Sequence, residues 1–177
     1  LAQADVIMDF EDGTDQIGLD GINYNELTIA QGTDDNANDT IVSYGAEYLF
    51  IIKNVSATNI TYLDVVSTST DPVIITGTSS DEVSLGGSGN DTVSSGTGVD
   101  ILIGYSGGDS ITIDGSGDKT VDGGPGTDSL TILYGSIASI SDFSIDVSGD
   151  YTSLTDNDGN QILFKNIETL TVGGNSY

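Results

Sequence analysis

A nine-residue repeat is the feature that most constrains how this chain can fold. Each copy has closely spaced glycines, then an aspartate, and two residues later an aliphatic side chain. The aspartates of the copies are Asp81, Asp91, Asp100, Asp109 and Asp128, and the aliphatic residues are Val83, Val93, Leu102, Ile111 and Leu130. We interpret each copy as a loop followed by a very short strand whose middle side chain points inward, so that two copies form one coil of a parallel β-helix.

The loops have the chemistry of a calcium site. Glycine permits positive φ angles and sharp turns, which lets several carbonyl oxygens point into one small space. Those carbonyls and the aspartate form the hard-oxygen shell that Ca²⁺ prefers. The alternative is a β-solenoid with ordinary Asp/Gly turns and no metal, but its stacked carboxylates would repel one another. The candidate metal-binding residues are Asp81, Asp91, Asp100, Asp109, Asp118 and Asp128, with Gly87, Gly89, Gly96, Gly98, Gly107, Gly124 and Gly126.

Two departures interrupt the nine-residue spacing. Between Asp109 and Asp128 the glycines and Val121 align with the other copies only if Lys119 takes the aspartate place, and we prefer that register because a buried aliphatic is hard to replace. Either the Lys119 ammonium then stands where a cation would sit, or Asp118 reaches in. Leu85 adds a residue after the Asp81 copy, so the Asp81 site is expected to be incomplete.

Composition excludes several function classes. The chain has 28 acidic residues against three lysines and arginines, a formal net charge of −25, and no His or Cys. Imidazole bases, thiolate nucleophiles and most transition-metal sites are therefore absent. The lack of basic residues argues against nucleic-acid binding. No carboxylate pair is marked out for catalysis, so we expect no enzymatic activity in this segment.

Short apolar runs separated by turn residues extend over the whole length, and no helical period persists. The sequence predicts an all-β fold: a calcium-binding parallel β-roll over 73–133, between a strand-rich segment at 1–72 and a partly antiparallel, strand-rich segment at 134–177. Residues 156–159 predict a hairpin turn, because their glycine comes too early for an EF-hand loop. Ile7–Phe10 and Ile140–Phe143 share a four-residue pattern, and no apolar run is long enough to span a membrane.

The segment Thr76–Thr131 resembles the RTX, or hemolysin-type, calcium-binding repeat of secreted bacterial proteins. The flanks resemble the strand-rich spacers that accompany such repeats. The resemblance implies a β-roll in which each Ca²⁺ lies between loops two copies apart. Asp109 would share ions with Asp91 and with Asp128 on one side, and Asp81 would share one with Asp100 on the other. It also implies type I secretion and folding outside the cell.

Two roles remain open. The chain begins at Leu1, and we expect it to be a segment of a longer secreted or cell-surface protein. It is either a structural module that rigidifies in extracellular calcium or the folding and export module of a secreted hydrolase or toxin. Strand-rich segments on both sides of the repeat favour the structural role. Self-association and contacts with neighbouring repeats are further expectations, and the sequence identifies no glycan or surface partner.

Overall fold

The computed structural model describes residues 4–20 and 22–177, and in these residues the chain is all-β with short 3₁₀ turns, which confirms the predicted class. Two compact units are present, Leu1–Ser67 and Thr68–Tyr177. The division falls after Ser67, and the segments predicted at 73–133 and 134–177 lie together in the second unit. Among the described residues, no helix has the length and apolar character needed to cross a membrane.

The first unit combines parallel and antiparallel pairs. Its strands are β1 (Asp5–Ile7), β2 (Ile17–Leu19), β3 (Leu27–Gln31), β4 (Thr40–Tyr44), β5 (Glu47–Ile52) and β6 (Val65–Ser67). One sheet has the order β1-β5-β4-β3, with β1 parallel to β5 and the other pairs antiparallel. Strands β2 and β6 form a separate parallel pair. Ile52, Val42 and Val65 are buried in this unit.

The second unit has two six-stranded sheets. Its strands are β7 (Ile74–Thr76), β8 (Val83–Gly87), β9 (Thr92–Ser94), β10 (Asp100–Tyr105), β11 (Ser110–Ile113), β12 (Lys119–Asp122), β13 (Ser129–Ile132), β14 (Ser144–Ser148), β15 (Tyr151–Thr155), β16 (Gln161–Lys165), β17 (Thr169–Val172) and β18 (Asn175–Ser176). The strand orders are β14-β15-β16-β12-β10-β8 and β18-β17-β13-β11-β9-β7. Both sheets are mixed: β8-β10-β12-β16 and β7-β9-β11-β13-β17 pair in parallel, and the remaining strands pair antiparallel.

The parallel registers stack the repeat aliphatics on one another. Ile111 lies opposite Val93 on one neighbour and Leu130 on the other, and Leu102 lies opposite Val121. All five side chains are 0% exposed and belong to one apolar cluster. Burying each of them contributes roughly 1.5–3 kcal/mol, before the cost of ordering the chain is subtracted. The central side chain of each of these short strands is therefore the core residue.

The first copy departs from that pattern. The sequence places Val83 at the inward position, but Ser84 lies opposite Leu102 and Val83 is only half-buried. Gly87 is paired with Tyr105, so β8 and β10 keep the same register as far as this glycine. Leu85 is therefore not an insertion as the sequence predicted: it pairs with Ile103 in an unbroken register and is 2% exposed.

The strand order of the first unit recurs at the end of the second. Strands β1 to β6 and β12 to β17 both run as a coil, a hairpin at the sheet edge and a second coil that pairs in parallel with the first. Lys53-Asn54 and Lys165-Asn166 lie at the ends of equivalent strands, and both asparagines have positive φ, 58° and 53°. By contrast, Ile140–Phe143 includes a 3₁₀ turn whose equivalent is Tyr24–Glu26, whereas Ile7–Phe10 begins at the last residue of β1. The four-residue echo in the sequence therefore joins non-equivalent parts of the fold.

Candidate metal centre

Three aspartates lie above one another at one edge of the second unit. Asp91, Asp109 and Asp128 immediately precede β9, β11 and β13, and the parallel register places Ser110 opposite both Thr92 and Ser129. We call these three residues the aspartate column. Each is only 1–2% exposed, so three carboxylates are removed from water in adjacent loops.

One oxygen of each carboxylate in the aspartate column is held by the preceding loop. Oδ1 of Asp91 accepts a hydrogen bond from the N–H of Val73 at 2.9 Å. Oδ1 of Asp109 accepts from the N–H of Asp91, and Oδ1 of Asp128 accepts from the N–H of Asp109, both at 2.8 Å. The backbone thereby fixes the orientation of each carboxylate and leaves its second oxygen available.

The second oxygens are buried and have no hydrogen-bond partner. This holds for Oδ2 of Asp91, Asp109 and Asp128. A Cβ built on Gly104 would overlap Oδ2 of Asp109 and lie 2.6 Å from the carbonyl oxygen of Gly123. A buried anionic oxygen without a hydrogen-bond partner is costly unless a positive charge compensates it. Carboxylate and carbonyl oxygens are also the ligands that Ca²⁺ accepts, so the residues present fit that ion.

The pKa values reflect this burial. Burial raises the pKa of Asp91, Asp109 and Asp128 above the ordinary value, and the backbone hydrogen bond to each carboxylate offsets only part of the increase. The neighbouring carboxylate of Asp91 raises the pKa of Asp109 further, and that of Asp109 does the same for Asp128. In the absence of a cation, the ionised form of each carboxylate is disfavoured.

Glu168 caps the last loop of the aspartate column. It is a site residue that the nine-residue aspartate pattern does not predict. Its Oε2 accepts a hydrogen bond from the N–H of Asp128 at 2.7 Å, as each aspartate does for the loop before it. Glu168 precedes Leu170 by two residues, which is the spacing between aspartate and aliphatic in the repeat. Allowing glutamate at the acidic position would have found it.

The opposite edge of the unit contains a lysine in place of an aspartate. Lys119 lies opposite Asp100 in the register of β10 and β12, which confirms the preferred alignment. Its Nζ lies 3.1 Å from Oδ2 of Asp100 and donates to the carbonyl oxygen of Gly98 at 2.5 Å. Asp118 does not reach this position: it is exposed, and its Oδ1 accepts from the N–H of Gln161 at 2.8 Å.

Asp81 lies outside the acidic position that the sequence assigned to it. Glu82 is the residue beside Asp100, and its N–H donates to Oδ1 of Asp100 at 3.0 Å. Asp81 is exposed and accepts instead from the N–H of Val99. The register counted back from the Gly86-Gly87 pair explains this shift, since it brings Glu82 rather than Asp81 opposite Asp100.

The candidate glycines lie in or beside the stacked loops. Gly96, Gly98, Gly107 and Gly124 have φ angles of 66°, 122°, 133° and 91°. Close approach is a second constraint: a Cβ on Gly107 would overlap the carbonyl oxygen of Gly89, which belongs to the loop before it. The other candidates, Gly87, Gly89 and Gly126, have no positive φ in the structure. Stacked backbones this close require glycine at the contact points.

In residues 4–20 and 22–177, no group of three or more carboxylates converges as a cation site. The backbone carbonyl oxygens of Gly104 and Gly123, which lie near the buried Oδ2 atoms, are further oxygens that a metal ion in the aspartate column could take. Ca²⁺, which takes roughly six to eight oxygen ligands, is compatible with such a mixed shell.

A cleft of about 470 Å³ elsewhere in the unit is also acidic, and the carboxylates of Asp114, Asp142 and Asp156 that line it accept hydrogen bonds. Tyr134 donates through its hydroxyl to Oδ2 of Asp156 at 2.8 Å, and Asp156 also accepts from Asp158 and Asn160. Burial and this hydrogen bond raise the pKa of Tyr134. Residues 156–159 form the turn between β15 and β16, as the sequence predicts. The cleft lacks the unpartnered oxygens of the aspartate column.

No protein-family model matches this chain, and no curated protein matches its sequence. Function is therefore inferred from the geometry of the loops.

Proposed function

We propose that the repeat segment of the second unit is a calcium-binding parallel β-roll that folds and becomes rigid when it binds Ca²⁺. The observation that carries the proposal is the set of three stacked, buried Oδ2 atoms with no hydrogen-bond partner, on Asp91, Asp109 and Asp128. Bound calcium would supply the positive charge that these oxygens lack. The parallel pairing of β7 to β13 supports the roll arrangement.

Asp109 would be shared by two ions. One would lie between the loops of Asp91 and Asp109, and the other between those of Asp109 and Asp128. The backbone holds Oδ1 of Asp109 and of Asp128, and the unpartnered Oδ2 of each would face the cation. Shared carboxylates make binding of successive ions and stacking of successive loops one process, because metal binding supplies folding free energy when no site exists in the unfolded chain.

The biological role we propose is a structural module of a secreted RTX protein at the cell surface or in the extracellular matrix. Extracellular modules commonly bind calcium with dissociation constants of about 10⁻⁴–10⁻³ M, so weak sites would fill outside the cell. The recurring strand order of β1 to β6 and β12 to β17 supports a modular structural role over that of an export module for a hydrolase or toxin. We propose no catalytic activity for this segment.

Calcium titration followed by far-ultraviolet circular dichroism tests this function. We expect β structure to increase with calcium in the wild-type chain. Asp109→Ala should weaken the response more than Asp81→Ala, because Asp109 lies between two column neighbours whereas Asp81 is exposed. A wild-type protein that keeps its full β signal after exhaustive chelation, with no metal detected by mass spectrometry, would refute the proposal.

A further inference from the structure

Lys119 is a buried cation within the loops themselves. Its side chain is 0% exposed. Besides Gly98, its Nζ donates to the carbonyl oxygens of Ser116 at 3.0 Å and Gly117 at 3.4 Å, and it forms the ion pair with Asp100. Three carbonyl oxygens and one carboxylate oxygen therefore surround the ammonium, and they come from two stacked loops.

These oxygens resemble the partial shell in the aspartate column. Asp100 presents a buried Oδ2 just as Asp109 does, and its Oδ1 is likewise held by a backbone N–H. Lys119 stands opposite Asp100, whereas in the aspartate column Asp128 follows Asp109. At this one position a carboxylate is replaced by a side chain that carries a positive charge.

An ammonium and a divalent cation would not share this shell, because two positive charges a few ångströms apart in a buried site repel strongly. We propose that the Lys119 ammonium is a built-in cation that closes the Asp100 side of the unit without metal. The two sides then differ: the loops of the aspartate column depend on a metal ion, and the loops around Asp100 and Lys119 do not. The metal dependence of the aspartate column rests on the proposed function, and the role of Lys119 does not.

The consequence concerns regulation of folding. Strands β10 and β12 are adjacent in one sheet, and the Lys119 contacts join the loops that precede them. This pair of strands can therefore remain associated at low calcium concentration. It provides an ordered layer against which the metal-dependent loops assemble when calcium rises.

The first test counts bound ions by isothermal titration calorimetry on the complete 177-residue chain. Lys119→Asp restores a carboxylate opposite Asp100, and we expect it to bind one more Ca²⁺ than the wild type. Lys165→Asp is the matched control, since Lys165 forms a partly exposed ion pair with Asp122 and undergoes the same change of charge. If the wild type binds calcium, equal stoichiometry for the wild type and Lys119→Asp would overturn the inference.

The second test measures hydrogen exchange in chelator by mass spectrometry, and it does not depend on calcium binding. In the wild type, the N–H groups of Gly98 and Asp100 donate to Ser116 and Asp118. We expect them to exchange about tenfold more slowly than those of the aspartate column. Lys119→Met keeps most of the side-chain volume but leaves Asp100 unpaired, and it should accelerate their exchange by about a hundredfold.

Lys165→Met is the control for the second test and should leave exchange at Gly98 and Asp100 unchanged. The inference is overturned if chelation exposes both sides of the unit equally, or if Lys119→Met and Lys165→Met behave alike. A wild-type chain that binds no calcium would refute the proposed function. In that case the exchange rates of Lys119→Met would still decide the role of Lys119.

Discussion

The N–H of Asp91 donates to Oδ1 of Asp109 at 2.8 Å, while Oδ2 of the same Asp109 carboxylate is buried without a partner. One carboxylate thus has a satisfied oxygen and an orphaned oxygen. The difference between the two oxygens separates a structural contact from a candidate ligand, and it allows the two roles to be tested independently.

Asp109→Asn should have opposite effects with and without calcium. The amide oxygen can still accept from Asp91, but the buried charge is removed, so in chelator we expect the variant to be more stable by about 1–2 kcal/mol. In calcium it should be less stable than the wild type, because a shared ligand has lost its charge. Urea unfolding in both buffers measures the two differences.

Asp146→Asn is the control for Asp109→Asn, since Asp146 is exposed on β14 and its substitution changes the net charge by the same amount. It should shift stability little in either buffer. If Asp109→Asn were destabilising in chelator and neutral in calcium, Asp109 would have only a structural role.

Metal-free stability should fall as pH rises. The pKa values of Asp91, Asp100, Asp109 and Asp128 are raised from 3.8, chiefly by burial, so the folded state binds more protons than the unfolded state just above that value. Stability is then lost as pH rises through the folded pKa values. The pKa values of two other aspartates in the unit, Asp142 and Asp156, are lowered, and their contribution is lost only as pH falls below 3.8.

Urea midpoints at about pH 4.5 and about pH 7 check the sign of this dependence. In chelator the acidic sample should be the more stable of the two. In saturating calcium the order should reverse, because the metal binds ionised carboxylates. A midpoint in chelator that increases between these pH values would contradict the prediction.

Stacking of the loops predicts a large penalty for a methyl group at Gly107. A Cβ there overlaps the carbonyl oxygen of Gly89, and φ is 133°. We expect Gly107→Ala to cost about 3 kcal/mol or more, because backbone strain and overlap add. Gly149→Ala is the control: φ is 61° and the space around its Cβ is open, so it should cost only about 1–2 kcal/mol. Comparable urea midpoints for the two variants would argue against close stacking.

Magnesium should replace calcium poorly. Mg²⁺ requires a nearly ideal octahedron of ligands and retains its water. The carbonyl oxygens beside the aspartate column belong to a backbone that is fixed by parallel strand pairing, so they cannot easily move into that geometry. We expect about tenfold more magnesium to be needed for the same circular dichroism change. Potassium chloride at matched ionic strength is the control for screening of the net charge of −25. Equal titration curves for the two divalent ions would show that simple screening drives folding.

The core of the repeat could be predicted from sequence because it depends on a local rule. An aliphatic residue two positions after an acidic one becomes the inward side chain, and Val93, Leu102, Ile111 and Leu130 all follow it. The alignment of Lys119 was predictable for the same reason, since burial of Val121 determines it.

The exceptions depend on contacts between distant residues. Asp81 has the local pattern, yet the pairing of Gly87 with Tyr105 brings Glu82 beside Asp100. The ion pair of the partly exposed Lys53 with the buried Asp39, which joins the residue after β5 to the residue before β4, likewise has no signature in spacing. The turn at 156–159 could be predicted from its own residues, but the place of β14 and β15 at the sheet edge depends on long-range pairing.

The carboxylate hydrogen bonds of the aspartate column all point the same way along the chain. Each aspartate satisfies an N–H of the loop before it, from Val73 to Asp91 and onward until Glu168 satisfies Asp128. A loop is therefore completed only by polypeptide that is translated after it. In a ribosome-bound chain that ends between Asp109 and Asp128, the N–H of Asp109 would have no acceptor. Order should therefore spread from the later loops back to the earlier ones.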